Sequence, residues 1–172
     1  MLLNLAIGQG ELLVTPLQLA LLAAEVASGG RPLRPHVVQS VQGATEFHVE
    51  RPVQSGVAAD GEVWDALHQG MEWVVESGTG TAARVPNVRV AGKTGTAQNP
   101  HGKDHALFVC YAPVDKPVIG LAFVIENSGH GGSIAAPMAG AVLRRLFAAD
   151  SVAREITPVA LPVDTAEVMR GD

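Results

Sequence analysis

The segment Val88-Arg89-Val90-Ala91-Gly92-Lys93-Thr94-Gly95-Thr96-Ala97-Gln98 constrains this chain more than any other. Its valines favour an extended backbone, and Gly92 and Gly95 deny a helix an easy path, so the segment reads as a strand. Side chains alternate along a strand, which puts Lys93 on the same face as Gly95; the glycine leaves that surface open for something to lie beside the ammonium. Thr94 and Thr96 add hydroxyl donors, and hydroxyls next to a fixed positive charge suit a carboxylate such as an acidic chain end. A solvated surface strand is the plain alternative. A phosphate loop is a second, imitated by Gly92-Lys93-Thr94, but that loop needs a glycine where this chain has Asn87 and a helix where it has Gly95 and Pro100.

The surrounding pattern predicts what carries the strand. Thr15 is a good N-cap, Pro16 suits the first helical position and Gln18 completes a capping box. From Leu17 to Ala27 the helix is apolar on nearly every side, which predicts a buried central helix stopped by Gly29-Gly30. Residues 31–50 carry β-type residues broken at Gly43-Ala44 and read as a peripheral hairpin. Between Asp60 and Ser77, Val63, Trp64, Leu67, Met71, Val74 and Val75 recur at spacings of three and four, the signature of an amphipathic helix with Glu62, Asp65, Glu72 and Glu76 outward. His68 lies near that stripe and reads as a half-buried core histidine. The glycine-rich turn at 77–81 is a connector. Residues 107–112 and 118–126 are strands joined by the turn at 113–117, so three antiparallel strands follow one another. A closing helix over 134–149 is expected to lay Met138, Ala141, Val142, Leu143 and Leu146 on that sheet. The fold class is therefore α/β of the α+β type, an antiparallel sheet flanked by helices. Residues 150–172 read as a loose tail.

Composition fits a folded chain: 172 residues, 47% of them hydrophobic and 17% charged, suffice for one sizeable core. A net charge of −5 gives no reason to expect nucleic acid or an anionic membrane as partner. Cys110 has no second cysteine to pair with and reads as a buried thiol. His101 and His105 are spaced as His-x-x-x-His, but Pro100 and Gly102 oppose the helix that would aim both at one zinc, so no metal or other cofactor is expected. Gly131-x-Ser133 superficially imitates a nucleophile elbow; Ser133 is better placed as the N-cap of the closing helix. Met1-Leu2-Leu3 lacks the features of a signal peptide, and no stretch reaches the roughly 18 apolar residues of a membrane span.

Four stretches together resemble one family. Gly8-Gln9-Gly10-Glu11-Leu12-Leu13-Val14-Thr15-Pro16-Leu17-Gln18-Leu19-Ala20, then the Lys93-Thr94-Gly95-Thr96-Ala97-Gln98 strand, then Phe108-Val109-Cys110-Tyr111-Ala112-Pro113, then Gly131-Gly132-Ser133 with Ala135-Ala136-Pro137, look like the class B penicillin-binding proteins. The likeness is greatest to the elongation type called penicillin-binding protein 2, and it runs from about Leu5 to Phe147. Ala106 stands where relatives usually carry a large aromatic, and Cys110 where a glycine is common. No Ser-x-x-Lys or Ser-x-Asn occurs in the chain. In the family both lie upstream, so residues 1–149 are expected to be the C-terminal portion of a transpeptidase domain, as a gene fragment or split product would be. The resemblance implies a peptidoglycan D,D-transpeptidase acting on stem peptides that end in D-Ala-D-Ala and bound by β-lactams. Its partners would be the upstream half of the domain and membrane proteins of the elongation machinery, on the extracytoplasmic face of the cytoplasmic membrane. It further implies that Lys93 serves the proton network of the upstream serines and draws in the substrate carboxylate, which Thr94 and Thr96 bind. The Thr96 N–H would form half of an oxyanion hole, Gly95 and Ala97 would leave room for the peptide, and Gln98 and His105 would border the acceptor. A non-catalytic binding or scaffold module, or an inactive fragment, is the alternative.

Overall fold

The computed structural model describes residues 8–9, 12–38 and 56–149, in which three helices and three strands form two layers around one sheet. Helix α1 (Pro16–Ala27) begins as its sequence dictates: the Gln18 N–H donates to Thr15 Oγ1 at 3.2 Å while the Thr15 N–H donates to Gln18 Oε1 at 2.8 Å. It ends where Gly29 and Gly30 take positive φ angles of 66° and 80°. Helix α2 (Gly61–Glu76) follows, then a 3₁₀ turn (Thr81–Ala83). Strands β1 (Ala91–Ala97), β2 (His105–Ala112) and β3 (Ile119–Ile125) then form an antiparallel sheet in the order β1-β2-β3, and helix α3 (Ala135–Ala149) closes the described chain. The expected hairpin has its first residues, 31–38, in irregular structure and the rest beyond the described residues, where the expected tail also falls.

The core is two-sided. On one face of the sheet Ala106, Phe108, Cys110 and Ala112 of β2 are fully buried against Ala135, Ala136, Ala139 and Leu143 of α3, with Val75, Ala83 and Val90 completing the cluster. On the other, Tyr111 and Ala91 pack with Met71 of α2 and half-buried Val26 of α1. His68 ties those two helices together, its Nε2–H donating to the Val26 carbonyl at 2.7 Å, which is the core role its position predicts.

Two helices depart from expectation in what they bury. α1 is not a central helix: Ala23 is its one fully buried residue, its Ala20 and Ala24 lie against Gly120 of β3, and Leu17 and Leu22 are more than half exposed. A helix that is apolar all round needs cover on all sides, and among the described residues this one is covered on one. α3 is rotated from the expected stripe, with Met138, Val142 and Leu146 on its exposed side. Close approach selects its buried face: a Cβ on Gly140 would stand 2.6 Å from the Ala82 carbonyl oxygen, so glycine and the neighbouring alanines are what can meet the 3₁₀ turn. The exposed Val63 and Leu67 of α2 show that its stripe also extends past the sheet, leaving Met71 and Val75 to do the packing.

Arg89, just before β1, locks the strand to its neighbours. Its Nε lies 2.5 Å from Glu72 Oε1 and its Nη2 donates to Glu72 Oε2 at 2.7 Å, while Nη1 engages Asp115 in the β2–β3 turn. The Arg89 hydrogen bond, aided by its charge against the cost of burial, holds the Glu72 carboxyl below its ordinary range. A carboxyl with a lowered pKa in the folded state stabilises the fold above its unfolded-state pKa, and that contribution disappears as pH falls through the folded value. Glu72→Gln is therefore expected to lower the denaturation midpoint at pH 7, with the difference from the parent closing as the pH falls below about 4. A second prediction concerns Cys110, whose thiol burial pushes up to about 12. It should resist an alkylating reagent at pH 8 in the folded protein and react fully in denaturant, as read by intact mass; rapid labelling under native conditions would show that β2 is not closed.

Candidate active site

β1 is an edge strand, paired to β2 on one side and to no other strand among the described residues. Its peptide groups alternate between the two sides. The Thr96 carbonyl accepts a hydrogen bond from Gln9 Nε2 at 2.8 Å, and the Gln98 N–H donates to Gln9 Oε1 at 3.2 Å. Thr94, Thr96 and Gln98 therefore turn their peptide groups to the free edge, and Lys93, Gly95 and Ala97 turn theirs to Val109, Leu107 and His105 of β2. By the same alternation the Thr96 N–H points outward along the free edge.

The side chains divide as strand geometry requires. Lys93 is exposed, and its Nζ curls onto the free edge to donate to the Thr94 carbonyl at 2.7 Å. It shares its face with Gly95 and Ala97, and across the strand with Val109, Leu107 and His105. Thr94 and Thr96 are half-buried on the opposite face. There Thr94 Oγ1 lies 2.7 Å from Thr79 Oγ1, which belongs to the connector after α2. The loop before α3 runs directly against the strand: a Cβ on Gly131 would come within 2.1 Å of the Leu107 carbonyl oxygen and 2.5 Å of that of Gly95. Only a glycine lets that loop back the strand so closely.

His105 sits at the far end of this face, half-buried and paired with Ala97. Its Nδ1 accepts the Asn127 N–H at 3.0 Å, which places the neutral ring's proton on Nε2. The loop between β1 and β2 is tied down at the same point, with Asn99 Nδ2 donating to Asn127 Oδ1 at 2.5 Å and the Asn99 N–H to Asp104 Oδ1 at 3.3 Å. Among the described residues no group of three histidine, cysteine or acidic side chains is placed to hold a metal ion. Ser133 stands two places ahead of α3 rather than capping it, its hydroxyl donating to the His130 carbonyl at 3.2 Å.

The strand thus brings Lys93, Thr94, Gly95, Thr96, Ala97, Gln98 and His105 onto one short stretch of sheet. Two further residues belong to it. Gln9 was visible as a polar residue between two glycines in Gly8-Gln9-Gly10, but its partners lie 87 and 89 positions away. Thr79 gave no signal beyond its place in a turn. Chemically, the arrangement offers an ammonium on one face of the strand, two hydroxyls on the other and an outward peptide N–H along the open edge between them, a set of donors for an anion and a developing oxyanion.

Comparison with known proteins places this geometry. Residues 2–144 match the family described as the penicillin binding protein transpeptidase domain. The peptidoglycan D,D-transpeptidase MrdA of Acinetobacter baumannii is 40% identical over 149 residues, covering 77% of this chain and 22% of that protein. MrdA of Haemophilus influenzae is 35% identical, covering 81% of this chain and 25% of its own length. Among solved structures, Pseudomonas aeruginosa PBP2 in complex with WCK 5153 superposes with a TM-score of 0.72 at 35% identity, covering 94% of this chain and 35% of that one. The imipenem acyl-enzyme complex of penicillin-binding protein A from M. tuberculosis gives a TM-score of 0.65 at 28% identity, over 83% of this chain and 33% of that one. The chain spans about a quarter of the length of the first two relatives. With its Lys-Thr-Gly strand, its three-strand antiparallel sheet and its helices in the family's arrangement, the chain belongs to the penicillin-binding protein transpeptidase family and is similar to its penicillin-binding protein 2 members.

Proposed function

We propose that residues 1–149 are the C-terminal portion of a serine-type D,D-transpeptidase domain, supplying the strand side of its active site while a serine upstream supplies the nucleophile. The observation that carries this reading is the outward Thr96 peptide group beside Lys93 and the two threonines on an open strand edge. A donor peptide ending in D-Ala-D-Ala adds to that edge as a further strand, with Gly95 and Ala97 leaving room for it. Its terminal carboxylate meets the Thr94 and Thr96 hydroxyls and the Lys93 ammonium.

The serine oxygen then bonds to the penultimate D-Ala carbonyl carbon as its proton passes to the last D-Ala nitrogen, the bond to that nitrogen breaks, and that residue leaves as the free amine. An amine of a neighbouring strand next attacks the ester, forming the cross-link and giving one of its own protons to the departing serine oxygen. The Thr96 N–H is half of the oxyanion hole in both steps, a donor of a kind worth about 10²–10³ in rate. Lys93 stabilises the deprotonated state of the upstream hydroxyls, and Gln98 and His105 border the acceptor. A β-lactam occupies the donor's place and acylates the same serine. The site works on the extracytoplasmic face of the cytoplasmic membrane, where peptidoglycan is cross-linked.

The test is the intact mass of this chain after incubation with a penicillin, alone and with the serine-bearing half of the domain added. The expected result is no adduct on this chain and one on the added half, with acylation falling by about 10²-fold or more in Lys93→Ala. An adduct on this chain alone would overturn the proposal and direct attention to Ser133. No adduct in any mixture would favour a non-catalytic binding module.

A further inference from the structure

The free edge of β1 is not uniformly free. At its C-terminal end the Gln9 carboxamide donates to the Thr96 carbonyl at 2.8 Å and accepts from the Gln98 N–H at 3.2 Å. Bonds to the carbonyl of one residue and the N–H of the residue two places on are those that one residue of a parallel neighbouring strand would make there. One side chain imitates one residue of a neighbouring strand. The approach is fixed by Gly8, whose φ of 75° is a left-handed conformation that a residue with a side chain rarely adopts. Gln9 itself is half-buried, and its contact with the Thr96 carbonyl is partly shielded from water.

We propose that Gln9 is a positioning residue of the transpeptidase site: by holding the Thr96 carbonyl and the Gln98 N–H, it fixes the peptide plane that follows Thr96 and so keeps the Thr96 N–H aimed into the donor groove. This rests on the role proposed above for Thr96. The need for such a device follows from the strand's position. β2 holds the Gly95 carbonyl and the Ala97 N–H, which share peptide planes with the Thr96 N–H and carbonyl, but that pairing ends at Ala97; at this end of the strand Gln9 holds the Thr96 carbonyl and the Gln98 N–H from the open side. An oxyanion donor misplaced by about 1 Å loses much of its effect, and the Gln9 clamp bonds the carbonyl of that same residue.

The chemistry of the clamp gives a test that a merely structural role would not pass. Gln9→Glu keeps the shape and the acceptor for the Gln98 N–H, but a carboxylate oxygen facing the Thr96 carbonyl repels it; protonation restores a donor at that atom. The experiment measures penicillin acylation of the serine-bearing half of the domain complexed with the full chain, as parent, Gln9→Ala and Gln9→Glu. In parallel, hydrogen exchange of the Gln98 amide is followed in the full chain. Gln9→Ala is expected to slow acylation about tenfold or more with penicillin affinity nearly unchanged, and to speed exchange at Gln98. The rate of Gln9→Glu relative to the parent is expected to rise as pH falls through the carboxyl range. Parent-like acylation by both variants, a flat ratio with pH, or unchanged exchange at Gln98 would each overturn the inference. Exchange is read whether or not the parent acylates, so a failure of the Gln9 clamp and a failure of the proposed transpeptidase reading give different results.

Discussion

The pairing of β1 onto β2 is the interaction on which the rest depends. Every residue from Ala91 to Ala97 has a partner between Tyr111 and His105, and β2 is itself immobilised because Ala106, Phe108, Cys110 and Ala112 are sunk in the core beneath α3. β1 inherits that rigidity on one side while its other side stays open. An open edge is ordinarily a hazard, since unpaired peptide groups invite a second strand. Here the edge is managed in two ways that leave a space between them. Lys93 lays its ammonium on the Thr94 carbonyl, a charged residue of the kind that discourages chance pairing, and Gln9 fills the far end. What remains exposed is a short, rigid run of donors, which is what a site needs if its hydrogen bonds are to act without first being ordered.

The elements were largely legible in the sequence because their signals are local. Thr15, Pro16 and Gln18 specify where α1 starts by bonds within four residues of one another, and the glycines at 29 and 30 specify where it stops. The three strands follow from β-branched runs separated by polar and proline-containing turns, and the face shared by Lys93 and Gly95 follows from alternation alone. Rotation of a helix about its axis is harder to read. In α3 the residues Met138, Val142 and Leu146 make as good an apolar stripe as Ala135, Ala139 and Leu143, and hydropathy favours the larger set. Volume decides the other way, because the 3₁₀ turn approaches to a distance that only Gly140 and the alanines permit. The exposure of Leu17 and Leu22 on α1 is equally invisible in composition, which reports that a surface is apolar but not which neighbours reach it.

The candidate site divides along the same line. Residues within β1 are readable from one another; those that support it come from elsewhere in the chain. Thr79 reaches Thr94 across 15 positions and Gln9 reaches Thr96 across 87, and neither contact leaves a periodic trace. Polar residues in irregular segments are selected by what they touch in three dimensions, so a single sequence displays the donors of a site more readily than the groups that aim them.

Among the described residues the face on which Lys93 opens is covered at the Ala91 end, where Tyr111, Ala91 and Met71 meet Val26; toward His105 it faces outward. This placement governs how strongly the donors can act. An ammonium about 4 Å from a carboxylate contributes on the order of 1 kcal/mol in water, but about four times as much where the effective dielectric constant falls to about 20. The strand supplies geometry whether or not it is covered, since β2 fixes it from behind. Its electrostatic force depends on what lies in front. On the proposed reading, in which the serine comes from a separate layer, the two are coupled: the layer that delivers the serine would also exclude the water that weakens Lys93 and the Thr96 N–H, so the donors would be oriented before that layer is present and become strong only with it.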